Sequence, residues 1–160
     1  MKPTFMYFLR GALLVTLWLF SEGASSQTTP QDPALWLGMT PETAYRELGA
    51  PSEVFPVAAD ATRWQVAQFY PSNVTLYWYA NHVWQVRLDR RYTGGFLGLT
   101  MGQTRDSALV VLGPPAVSSA PGAVPAWDSW ALPFRAFSRQ VRLVFENGLL
   151  FDASFYRSDL

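Results

Sequence analysis

The sequence predicts an α+β fold in which a short helix followed by a three-stranded antiparallel sheet is written twice in tandem. Three observations predict it. Six residues recur at a fixed spacing, two segments alternate apolar and polar residues on either side of a turn, and the 160-residue chain contains no cysteine. Without disulfides, packing between such elements must hold the fold together.

The recurrence comes first. Gly38, Thr40, Ala44, Leu48, Gly49 and Pro51 return 64 positions later as Gly102, Thr104, Ala108, Leu112, Gly113 and Pro115. Each set reads as a helix with both ends marked. Thr40 and Thr104 are N-caps, Pro41 suits the first helical position, and Glu42 and Asp106 oppose the helix dipole. Gly49 and Gly113 supply a left-handed stop, and the prolines beyond forbid continuation. Helices of about two turns are unstable alone. Ala44 and Leu48, and in the second copy Ala108, Leu109 and Leu112, must therefore pack on something.

That partner follows in sequence. Val74, Leu76, Trp78, Trp84, Val86 and Leu88 alternate with Thr75, Tyr77, Tyr79, Val83, Gln85 and Arg87 around Ala80, Asn81 and His82. Period two predicts a hairpin with one buried face, and an odd-length turn places Trp78 and Trp84 together on that face. The shape recurs 67 positions later: Val141, Leu143 and Phe145 lead into Asn147-Gly148, and Phe151, Ala153 and Phe155 return on the core side. Each copy has one further candidate strand, Arg63 to Tyr70 and Ala126 to Leu132, ending at Pro71 and Pro133. Ala116 to Pro125 reads as a mobile loop. Tyr92 to Phe96 is too short for a free linker, so the copies should touch, as one shared sheet or two sheets side by side.

Residues 1–26 stand apart from this pattern. Lys2 and Arg10 precede an apolar run from Gly11 to Phe20, and Ala24 and Ser26 suit a cleavage site, which is the layout of a secretory signal. The run is about half the length needed to span a bilayer, so no stable membrane span is expected after cleavage. The predicted organisation is a signal peptide over 1–26, one module over 27–94 and the other over 95–160. The protein is expected to be exported, periplasmic or extracellular.

Beyond residue 26 the chain has ten arginines, no lysine and eleven carboxylates, so it offers no electrostatic footprint for nucleic acid. Catalysis is not expected. The lone histidine, His82, falls in a hairpin turn, the carboxylates do not cluster as metal ligands, and neither a nucleophile elbow nor a phosphate-binding glycine loop is present. No cofactor is implied. Asp89, Arg90 and Arg91 read as a solvated strand end.

The motif order resembles a known family. Gly38-Met39-Thr40, Leu48-Gly49-Ala50-Pro51 and Trp64, and then Leu112-Gly113-Pro114-Pro115 with Val141 to Gly148, are similar to the small modules of the outer-membrane assembly lipoprotein called BamE or SmpA and of the β-lactamase inhibitory protein. The resemblance implies modules of two helices on a three- or four-stranded antiparallel sheet, a bacterial source, and, for the tandem inhibitor, a concave protein-binding sheet surface. The chain departs from it in lacking the lipid-bearing cysteine and a full first helix in each copy.

Aromatic residues are the functional lead. Tyr77, Tyr79, Gln85 and Arg87, with Tyr156 from the second copy, fall on the face opposite the predicted core, and tyrosine and arginine are enriched at binding hot spots. Alternatively, that face is covered by the other module. The expected function is a non-catalytic module that binds another envelope or extracellular protein through a sheet face, as an assembly accessory or an inhibitor. The alternative is a small-ligand carrier with a pocket between the modules, lined by Trp64, Trp127 or Trp130.

Overall fold

A computed structural model describes residues 31–60, 63–135 and 137–158, without the side chains of 57–66. The expected signal peptide and its cleavage point lie outside the described residues.

Both helices form where their caps place them. Helix α1 spans Pro41–Leu48 and α2 spans Arg105–Leu112. The Thr40 and Thr104 hydroxyls accept from the backbone N–H of Thr43 (3.4 Å) and Ser107 (3.2 Å), each satisfying a donor that the first turn leaves unpaired. Gly49 and Gly113 end the helices at φ 76° and 78°, a region that a Cβ penalises.

The strands correct the expected fold class. Each helix is followed by four strands, not three: β1 Glu53–Asp60, β2 Arg63–Tyr70, β3 Val74–Tyr79 and β4 His82–Leu88 after α1, then β5 Val117–Ser118, β6 Ala126–Phe134, β7 Phe137–Glu146 and β8 Leu149–Arg157 after α2. They do not make two three-stranded sheets. They make one eight-stranded antiparallel sheet in the order β1-β2-β3-β4-β8-β7-β6-β5. The join is β4 against β8, with Gln85 opposite Tyr156, Val86 opposite Phe155, Arg87 opposite Ser154 and Leu88 opposite Ala153. Pairing these strands removes what would otherwise be two open edges.

Two of the strands had no sequence signal. β1 carries Pro56, which an edge strand tolerates because one side of its backbone needs no ladder partner. β5 lies inside the segment read as a mobile loop, which is instead tied to β6 by Ala116 N–H to Ser129 O and Ser119 N–H to Trp127 O, both 2.8 Å.

The first hairpin differs from the odd-length turn, whereas the second turns at Asn147-Gly148 as its sequence predicts. Ala80-Asn81 (φ 47° and 61°) and Asn147-Gly148 (φ 52° and 77°) are two-residue turns with positive φ at both positions, the form that suits the twist of paired strands. Just beyond each, the second strand carries one extra residue. Trp78 pairs with Val83 while Tyr77 pairs with Gln85, which leaves Trp84 as a bulge; Phe145 pairs with Leu150 while Val144 pairs with Asp152, which leaves Phe151. A bulge reverses the parity of what precedes it. Val83 and Leu150, read as outward, are therefore core residues with 0% and 2% exposure, and Trp84 and Phe151, read as core, are only half-buried and lie on the other face. Leu150→Ala should accordingly cost about 2–5 kcal/mol, and Phe151→Ala clearly less, as measured by urea denaturation.

The bulges also explain the Gly-x-Thr motif. Gly38 N–H donates to Val83 O (2.8 Å) and Val83 N–H to Met39 O (3.0 Å); Gly102 N–H donates to Leu150 O (2.9 Å) and Leu150 N–H to Gln103 O (2.8 Å). In each half the strand entering the helix is thus clamped to the first core residue after the turn. The positive φ of Gly38 and Gly102, 83° and 82°, permits this approach.

Among the described residues, both helices and most of what joins them to the strands pack on one face of the sheet. Ala44 of α1, Ala108 of α2, Ala34, Trp36 and Leu37 from the start, and Tyr92, Phe96 and Leu99 from the β4–α2 connection join Val74, Leu76, Val86, Leu88, Val141, Leu143, Ala153 and Phe155 in a single core. Polar ties fix this layer. Asp32 accepts from Ala34 N–H through Oδ1 and from Leu97 N–H through Oδ2, both 2.9 Å, tying the segment before α1 to the β4–α2 connection. Arg139, buried on β7 with its guanidinium 4.9 Å from the Phe134 ring, donates from Nη1 to Ala34 O at 2.9 Å. Helix α2 is pinned to β6 at both ends. Arg105 donates to both Asp128 oxygens at 2.6 Å, and Trp130 Nε1–H donates to Gly113 O at 3.0 Å.

Candidate functional site on the open sheet face

With both helices on one face, the residues that point the other way follow from register. Cross-strand partners lie side by side on the same face, so the pairings can be read as rows. One row runs Tyr77 (β3), Gln85 (β4), Tyr156 (β8) and Gln140 (β7). The next runs Thr75, Arg87, Ser154, Arg142 and Ser129, from β3 to β6. The β4–β8 pairing thus brings four of the five expected residues, Tyr77, Gln85, Arg87 and Tyr156, onto adjacent positions of one surface. The fifth, Tyr79, shares their alternation on β3 but lies beside the turn, opposite His82.

Alongside these rows is a trough of about 460 Å³ lined by Tyr77, Gln85, Arg87, Phe151, Asp152, Ser154, Arg142, Val144, Glu146 and Pro125. The bulges furnish its aromatic borders. Trp84 lies beside Tyr77 with ring centroids 6.2 Å apart, and Phe151 lies under the Arg90 guanidinium at 5.7 Å. Arg142 stacks over Trp127 at 4.4 Å.

The trough also contains an ion pair. Arg87 Nε donates to Asp152 Oδ2 at 2.7 Å, with 48% of the arginine side chain exposed but only 10% of the aspartate. Burial pushes the Asp152 carboxyl above its ordinary range; the hydrogen bond and charge of Arg87 pull it down without restoring it, and the nearby Asp89 raises it further. Burial acts to lower Arg87, but hydrogen bonds and charge from Asp152 and Tyr77 outweigh it and raise the guanidinium. Arg87 is therefore a fixed cation on this face, and Asp152 a carboxylate that depends on it.

Sequence reasoning missed Asp152 and Phe151 as members of this surface, because the bulge at Phe151 shifts the parity of β8. Asn147-Gly148 was legible as a turn, but the extra residue after it had no signature.

The remaining candidates separate from the site. His82 opens β4, is exposed, and has Nδ1 2.9 Å from Ala80 O. Asp89 pairs with Arg91 at 2.7 Å. Among the described residues no three His, Cys, Asp or Glu side chains converge as a metal site, and no helix is long and apolar enough to cross a membrane. Trp127 pairs with Val144 on the open face, whereas Trp130 pairs with Val141 in the core, so these two tryptophans do not line one pocket. The side chain of Trp64 lies outside the described residues. No protein-family model, curated protein or solved structure matches the chain. The open face must therefore be interpreted from its own chemistry.

Proposed function

We propose that this protein is an exported, non-catalytic protein-binding module that engages another envelope or extracellular protein through the open face of its sheet, as an assembly accessory or an inhibitor-like binder. The observation that supports this is the pair of rows across the β4–β8 join, which hold Tyr77, Gln85, Arg87 and Tyr156 on a rigid sheet beside a trough. Tyrosine and arginine supply large contact area at small entropic cost, and a sheet loses little backbone freedom on binding.

The test is a crosslinked pull-down from an envelope fraction with the wild-type chain and with Tyr77→Ala and Tyr156→Ala. Both variants should lose the wild-type partner while their melting temperatures stay within about 2 °C of wild type. Arg87→Ala is a poorer probe, because it strands the nearly buried Asp152. If the variants retain the partner, or lose it only together with their stability, the proposal fails.

A further inference from the structure

The partner's chemistry can be inferred from how charge is layered on the open face. Arg87 and Arg142 occupy one cross-strand row, two strands apart, with Ser154 between them. Strand spacing sets their backbones about 10 Å apart, within reach of two long arginine side chains converging on one group. Their surroundings differ. Arg87 is held through Nε by Asp152, whose carboxylate is nearly buried beneath it, so the arginine, at 48% exposure, is what meets solvent. Arg142 is exposed and stacks on Trp127, and among the described residues no carboxylate lies within salt-bridge distance of it. Glu146, the other acid lining the trough, stands four residues further along β7, about 13 Å from Arg142.

Resting on the protein-binding reading above, we propose that the open face receives an acidic segment of the partner protein, with an Asp or Glu carboxylate seated between Arg87 and Arg142 and flanking residues packed against Tyr77 and Tyr156. The match is one of charge and shape. The Arg87 guanidinium is preoriented by its carboxylate, so little of its freedom is lost when a planar carboxylate arrives, and Arg142, exposed and without a carboxylate partner, swings from the Trp127 indole to complete the seat. The neighbouring Tyr-Gln-Tyr-Gln row offers hydroxyl and amide groups to the peptide backbone beside it.

The test uses a display library of random twelve-residue peptides selected on the immobilised full chain, followed by fluorescence anisotropy with the selected peptides. Selected peptides should be enriched in Asp and Glu, and Arg142→Gln should weaken them about tenfold or more while leaving the melting temperature unchanged. Arg142→Lys should recover part of that loss, and raising the salt from about 0.05 M to about 0.5 M should weaken binding further. Peptides with no acidic bias that are lost on Tyr77→Ala or Tyr156→Ala would overturn the acidic preference and leave the protein-binding reading standing. Failure to select any peptide sensitive to the face would overturn both. Self-association of the wild-type chain that Arg142→Gln abolishes would assign the face to a second copy and overturn the proposal.

Discussion

Replacing Arg105 with alanine is expected to lower folding stability by about 3–5 kcal/mol, the loss seen when one member of a buried ion pair is removed. The Asp128 side chain has no exposure, and it accepts two 2.6 Å bonds from Arg105 and one of 2.6 Å from Ser118. Without Arg105 a carboxylate remains in the protein with a single hydroxyl for company. The reverse change should cost less. In Asp128→Ala the arginine, already 43% exposed, turns to water.

The same pair sets an acid dependence. Burial acts to raise the Asp128 carboxyl, but hydrogen bonds from Arg105 and Ser118 and the charge of Arg105 outweigh it and hold the group below its ordinary range. A carboxylate depressed by folding stabilises fully above its unfolded value of about 3.9 and loses that contribution as pH falls through the lower folded value. The stability difference between wild type and Asp128→Ala should therefore be constant near neutrality and narrow from about pH 4 downward. Urea denaturation across that range measures it. A difference that stays constant into acid would refute the assignment.

Phe155→Ala is expected to cost about 3–5 kcal/mol as well, for a different reason. Phe155 is fully buried, lies opposite Val86 across the β4–β8 join and Val141 within the second half, and meets Phe96 edge-on at 5.7 Å. Its removal opens a cavity where both halves and their connection meet. Against a total stability of about 5–15 kcal/mol, that is a large fraction. Because the join is shared, tryptophan fluorescence and far-UV circular dichroism should report one coincident, shifted transition. Two separated transitions would mean that the halves unfold independently and that the join contributes little.

The locally encoded parts of this fold were legible. Thr40, Thr104, Gly49 and Gly113 act on backbone groups within a few residues, so their chemistry marks the helix ends wherever the helices pack. The hairpins were legible as alternation around turn residues, and β2 and β6 as candidate strands running up to a proline. What was not legible turned on single residues or on distant partners. One bulged residue per hairpin exchanged Val83 with Trp84 and Leu150 with Phe151 between faces. Even the spacing of the repeat concealed an exchange: Tyr70 pairs with Val74, but the corresponding Trp130 pairs with Val141, so the β6–β7 hairpin is longer than its β2–β3 counterpart by residues that the shortened β5 partly gave back.

By itself, then, the sequence determined the capped helices, the two hairpins and the alternation that sets Tyr77, Gln85, Arg87 and Tyr156 opposite the apolar residues. These follow from interactions between near neighbours. Only the tertiary structure decided that β4 and β8 meet, that one sheet replaces two, and that Arg87 finds Asp152 65 positions away. A strand edge offers the same N–H and C=O groups whatever its side chains are. Which edges pair is settled by the core residues that must be buried together, and those are distributed over the whole chain.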